Sequence, residues 1–418
     1  MPFKNPNKKL YKSIDECRIC ASKNLESILD LGEQPPANSL RKSLSENLPA
    51  IPLSISRCLD CHTVQLNETV DPEYLFKDYV WVTGTSATAG EYSQRFCQEM
   101  EKRCAYPKLS VLEIASNDGT FLKVFKERGH TVLGVDPAEN IAAIANEAGI
   151  PTIADFFGNS TANTIVKEHG KVDCVFARNV LPHVPFPADV IKGMATALKD
   201  NGTGVIEFHH ASAILDELHY DSIYHEHMSY FSIHNVSSLL ERFHCYSFDL
   251  INSPISGGSI VLYFSKEKRD KSIDLTNAMR QEEQIQTEAS EKWQQFATAA
   301  VEHRERLLTI LSQEKESGKK IIGYGASARS STLLNFCGIN NKHLDCIADM
   351  SPFKQSRYTP GSDILILHPD DAFLRRPDTV VLLAWNFKDE IISFLKNEIG
   401  FHGKVIIPLP HMPEIINL

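Results

Sequence analysis

The chain has 418 residues, 42% of them hydrophobic and 23% charged, with a net charge of −10; that length exceeds one ordinary core and predicts two or three domains. An acidic balance without a long basic run excludes nucleic acid as the main partner. The polar start MPFKNPNKKLYKS has no apolar signal region, and no apolar run approaches the ~20 residues of a membrane span, so a cytoplasmic protein is expected, its ten cysteines free thiols or metal ligands.

Residues 1–75 are rich in turns and carry Cys17 and Cys20 in CRIC, then Cys58 and Cys61 in CLDC. Two short knuckles, each presenting two thiolates, close a tetrahedral shell around one structural zinc ion. His62 beside Cys61 is read as a solvated neighbour rather than a substitute ligand. Residues 76–105 hold YVWVTGTS, a loop or short strand, followed by an amphipathic helix.

Residues 106–266 alternate strands and helices, which predicts an α/β fold with a parallel sheet covered on both faces. The ligand of such a sheet lies beyond the carboxyl ends of its strands. Asn117, Asp118 and Gly119 occupy the first such turn, Asp136 ends the second strand where ribose hydroxyls bind, and Asp155 ends the third, near an adenine ring. The turn EIASNDGTF has one glycine and the acidic Glu113 entering it, a poor match for a pyrophosphate and a good one for a cationic ligand such as S-adenosylmethionine. Strand, ExxxxxG, helix and VxGVD together look like the class I methyltransferase pattern.

The stretch DSIYHEHMSYFS offers Tyr224, His225, Glu226 and His227. A metal site, a solvated surface and a set of proton-transfer groups all compete for it. In an extended segment Glu226 and His227 point to opposite faces, so only an irregular loop brings them together. His209 and His210, at another strand end, are read as core or rim. Residues 267–317 form a helical connector, with Trp293, Phe296, Ala297, Val301, Leu307 and Leu311 at helical spacing. Residues 318–418 open with GKKIIGYGASARSS, a strand running into Gly323, Gly325 and a helix start able to bind phosphate. Further strands make this a second, smaller Rossmann-like domain. Asn386 ends one of them, facing the crevice or capping a helix.

In order, CRIC…CLDC, EIASNDGTFL, NVLPH, YHEHMSYFS, SGGSI and GYGASARSSTLLNFCGI resemble the sugar C-methyltransferase family acting on nucleotide-linked keto-deoxysugars, over nearly the whole chain. The resemblance implies a zinc-binding domain (1–75), an S-adenosylmethionine domain (76–266) and a C-terminal domain (318–418), with the sugar nucleotide between the last two. It implies catalytic roles for Tyr224, Glu226, His227, His183 and Tyr79. Nucleotide contacts fall at Tyr324, Ser327 and Arg329, the last forking onto a pyrophosphate. His227 is expected to act as base on the carbon beside the ketone, with Glu226 orienting it and His183, Tyr224 and Tyr79 around the ketone. The leading expectation is a C-methyltransferase acting on a 4-keto-6-deoxysugar, C3 being favoured. The rivals are an O- or N-methyltransferase on a similar sugar and a non-enzymatic zinc-containing binding protein. The sequence gives no oligomeric state.

Overall fold

A computed structural model describes residues 10–76, 87–104, 107–253 and 257–418. In the N-terminal part, Leu25–Gln34, Ile51–Cys58 and Val64–Leu66 pair antiparallel as three strands of a four-stranded sheet. The fourth strand, Ser229–Tyr230, comes from far along the chain and pairs with Val64–Leu66.

The central sheet has seven strands. Numbered in chain order from Ser110–Ile114, they lie as 3-2-1-4-5-7-6. Ser110–Ile114, Thr131–Asp136, Thr152–Ala154, Val172–Arg178 and Leu198–His209 run parallel, and the hairpin Tyr246–Asn252/Ser259–Ser265 closes one edge antiparallel. The parallel strands read as near-continuous apolar runs because both faces are buried: Val175, Phe176 and Ala177 are each 0% exposed. The C-terminal sheet repeats the scheme. From Ile321–Tyr324 its strands lie 3-2-1-4-5-6, and the last, Glu414–Asn417, is antiparallel. In both sheets strands 1 and 4 are neighbours, so the chain reverses its winding between them and leaves a crevice at their carboxyl ends.

Two helices, Ile273–Ile285 and Ser290–Glu316, connect the sheets. The second buries Trp293, Phe296, Ala300, His303, Leu307 and Leu311 along one stripe. Residues of the N-terminal sheet, of segment 211–230, of this helix and of the C-terminal sheet share a single apolar cluster, so these parts stabilise one another by common burial. The predicted alternation of strands and helices is thus present, with the antiparallel hairpin added.

Glu282, on the first connecting helix, is 2% exposed and accepts bonds from His210, from His234 Nδ1 (2.6 Å) and from the Ile233 and His234 amides. Burial alone would raise its carboxyl; the two histidines and the amide outweigh that and hold it at about 2. A depressed carboxylate contributes stability above its unfolded pKa of about 4.3 and loses it as pH falls toward 2. Glu282→Gln should therefore cost on the order of 3 kcal/mol near neutral pH. The gap to wild type, read by urea denaturation, should shrink steadily below pH 4.5.

Candidate active site and zinc centre

The two cysteine knuckles fold alike. Cys17 N bonds Ser22 O and Ala21 N bonds Cys17 O; Cys58 N bonds Thr63 O and His62 N bonds Cys58 O. The residue after each second cysteine, Ala21 and His62, has φ near +60°. Cys17 and Cys61 sulfurs lie 3.5 Å apart, Cys20 and Cys58 3.6 Å, and all four lie within 4.8 Å. Tetrahedral zinc with bonds of ~2.3 Å places its sulfurs roughly 3.8 Å apart, so the set fits one zinc ion. Amides of Ile19 and Cys61 point at the Cys17 and Cys58 sulfurs, as thiolate charge requires. His62 Nδ1 instead meets Arg57 at 2.7 Å, outside the shell.

At the first central strand the chain turns sharply through residues 115–119, with Ala115, Asn117 and Gly119 all at positive φ. The turn lies flat on the neighbouring strand because Gly134 has no side chain: a Cβ there would meet Ser116 Oγ at 2.3 Å. Asp136 braces the same turn, accepting Asn117 N and Ala138 N at 2.9 Å each; burial raises its pKa and these amides oppose the rise. Asp118 accepts Thr120 Oγ1 at 2.7 Å. Asp155, exposed at the next strand end, accepts Phe156 N at 2.8 Å, and the Phe156 ring beside it is 57% exposed.

Glu113 lies within the first central strand, one residue before its end. It is 3% exposed and lies beneath the turn, and its Oε2 has no partner among the described residues. Burial pushes its carboxyl well up, with Arg178 opposing. Arg178 itself bonds the buried Glu207 (2.7 Å) and lies 3.4 Å over the Phe121 ring. The unpartnered Glu113 oxygen leaves one hydrogen-bonding position open beneath the turn.

Between His209 and Tyr246 the chain leaves the sheet and builds the reactive cluster. His227 Nδ1 lies 3.2 Å from Ser222 O, which can only accept, so Nδ1 carries the proton and Nε2 is the open acceptor; Tyr224 OH occupies it at 2.6 Å. The His183 ring sits edge-on to His227, centroids 4.8 Å apart, and bonds the Glu226 backbone. Burial, His183 and Arg329 keep His227 neutral, well below the usual range; burial holds His183 at about 4. His225 is a staple, its Nε2 donating to Ile51 O and Pro52 O.

Glu226 does not orient His227. Its carboxyl turns away to Asn38, whose Nδ2 donates at 2.6 Å, and burial raises it to about 7. The Ser222 carbonyl does the orienting, which no side-chain pattern could have signalled. Tyr79 lies outside the described residues.

The C-terminal residues also differ from expectation. Arg329 does not offer its fork to a pyrophosphate: Nε and Nη2 grip buried Asp221 at 3.1 and 2.8 Å, and Trp385 Nε1 donates to the same carboxylate at 2.8 Å. Thr332 holds Ile223 O at 2.9 Å. Arg329 thereby fixes the turn that presents Ser222. Ser327 caps its helix in a reciprocal box with Ser330. Tyr324 ends its strand, its ring against Phe394 and its hydroxyl raised to about 12 by burial. Asn386 stands opposite Gly257, across the crevice from the central domain. Asp349, missed in the sequence, ends the second C-terminal strand and accepts Ala326 N at 2.7 Å; an acid following a GxGxxA turn by one helix and one strand was its signal.

Three family models match the chain: "Putative zinc binding domain" over residues 17–76, "Methyltransferase domain" over 88–246 and "C-methyltransferase C-terminal domain" over 254–410. C-methyltransferase NovU from Streptomyces niveus is 30% identical over 413 residues, 98% of either chain. Among solved structures, a S-adenosylmethionine-dependent methyltransferase from Clostridium acetobutylicum ATCC 824 aligns with 12% identity and TM-score 0.34, over 46% of this chain and 95% of that one. PH0226 protein from Pyrococcus horikoshii OT3 aligns with 17% identity and TM-score 0.35, over 47% and 97%.

Purified protein should carry one zinc per chain by elemental analysis. Cys58→Ser should lose it and open segment 224–230, which rests on the same sheet, to limited proteolysis. Gly134→Ala should weaken S-adenosylmethionine binding at least about tenfold by calorimetry, since the added carbon lifts the turn at Ser116, while zinc content stays unchanged.

Proposed function

The chain belongs to the C-methyltransferase family that includes NovU, and starting from an S-adenosylmethionine-dependent C-methyltransferase with a zinc-binding N-terminal module, we propose that it methylates C3 of a nucleotide-linked 4-keto-6-deoxysugar through an enolate. The observation that carries this reading is the Tyr224–His227 pair. A neutral imidazole, pinned at Nδ1 by a carbonyl, offers Nε2 as a base, and a phenol hydroxyl sits on that nitrogen.

When bound, S-adenosylmethionine supplies a methyl group on a sulfonium and leaves as a neutral thioether. The chain's residues do the rest. Arrival of the ketone draws the Tyr224 hydroxyl off Nε2 and onto the carbonyl oxygen. His227 Nε2 then takes the C3 proton, and the electron pair of the broken C–H bond becomes the enolate. Tyr224 donates where negative charge develops, and His183, its N–H held by the Glu226 backbone, packs edge-on against the His227 ring. The nucleophilic carbon takes the methyl group, and His227 returns its proton to solvent. His227 suits the base role because burial keeps it uncharged at working pH.

The C-terminal sheet supports a nucleotide half-site by its 3-2-1-4-5-6 order, its Gly323–Gly325 turn and Asp349. Asn386 and Tyr324 stand on the crevice side of that sheet, at strand ends or just beyond. Domain limits near residues 75, 266 and 317 follow from the same reading.

Labelled cofactor incubated with a panel of keto-sugar nucleotides should give a methylated product by mass spectrometry. Without methyl transfer, wild-type protein in D2O should exchange the C3 hydrogen. His227→Asn should lower both by roughly a hundred- to ten-thousand-fold, and Tyr224→Phe should cost less, about ten- to a hundredfold. Methyl transfer to oxygen or nitrogen with no C3 exchange would overturn the reading.

A further inference from the structure

The catalytic segment is held by three parts of the molecule, and one contact is unlike the others. Arg329 and Thr332 hold the turn 220–223 through a buried carboxylate and a backbone carbonyl. His225 and strand Ser229–Tyr230 tie the loop to the N-terminal sheet through backbone groups. Asn38 instead bonds the Glu226 side chain.

Asn38 lies in the stretch that follows strand Leu25–Gln34 and is exposed, while its partner Glu226 is 4% exposed. Both flanks of Asn38 are fixed. Pro35 packs on Gly361, where a Cβ would approach its ring carbons to 3.1 Å. Arg41 exchanges backbone bonds with Tyr358 at 3.0 and 2.8 Å and pairs with Asp363. The zinc-binding module thus braces itself on the C-terminal domain and extends one amide over the crevice. That amide takes Glu226 Oε1 at 2.6 Å; Oε2 makes no hydrogen bond among the described residues. The Glu226 backbone meanwhile bonds the His183 ring.

From this geometry we infer that Asn38 is a positioning residue: it locks the Glu226 side chain so that Oε2 faces the substrate and takes a sugar hydroxyl near the reacting ketone. The inference rests on the sugar reading above. An uncharged donor suits the task. A lysine or arginine would bind Glu226 as an ion pair and draw both oxygens to itself, whereas one amide N–H engages one oxygen and leaves the other.

A double-mutant cycle tests it. Asn38→Leu should lower kcat/KM for methyl transfer about ten- to fiftyfold, with zinc content and the Kd for S-adenosylmethionine within twofold of wild type. Asn38→Gln, which keeps the donor, should recover part of that loss. Glu226→Gln should also be impaired, and the double variant Asn38→Leu/Glu226→Gln should be no worse than Glu226→Gln alone. Losses that multiply in the double variant, or wild-type kinetics in Asn38→Leu, overturn the proposal. The infrared band of the Glu226 carboxyl, assigned by its loss in Glu226→Gln, reads the contact without turnover. It should move in Asn38→Leu and stay near its wild-type position in Asn38→Gln, with His183, His225 and His227 as the other titratable neighbours. If wild-type protein methylates no keto-sugar nucleotide, the functional reading fails by itself, and the infrared band still decides whether Asn38 holds Glu226; an unmoved band overturns the contact.

Discussion

The pairing of Ser229–Tyr230 with Val64–Leu66 is the constraint on which the arrangement of the site depends. Isolated short strands have little stability of their own. This one persists because its neighbours belong to a sheet closed at one end by four cysteines, and because Met228 N is also tied to Pro182 O at 2.6 Å. The zinc shell therefore does more than fold the N-terminal module. It provides the edge against which a segment of the central domain is laid, and that segment contains Tyr224, Glu226 and His227.

The C-terminal domain completes the enclosure from the opposite side. Asp221 is 1% exposed, and a buried carboxylate needs a cation and donors to persist. Arg329 and Trp385 supply them, and Arg329 also lies 4.6 Å over the Trp385 ring. The N-terminal and C-terminal sheets thus both bear on segment 211–230 and share one apolar cluster with it.

Much of the architecture was legible because its signals are local. Paired CxxC knuckles encode their own geometry, and the turns around Asn117 and Gly325 announce themselves by residue type. The alternation of apolar strands with amphipathic helices gave two α/β units. The limits were physical. Asn38 meets Glu226, and Arg329 meets Asp221, across separations that no spacing rule reaches. The Ser222 carbonyl leaves no mark in sequence at all, because every residue has one. The period-two argument assumed an extended segment; residues 224–227 instead form a turn, which brings Tyr224 onto His227 and sends Glu226 to Asn38.

The chain departs from the central sheet at His209 and rejoins it at Tyr246, and the seven strands of that sheet lie outside the excursion. Tyr224, Glu226 and His227 are thereby carried on an insertion between two sheet strands. Substitutions there can remodel the surroundings of these three side chains while leaving every strand of the central sheet untouched.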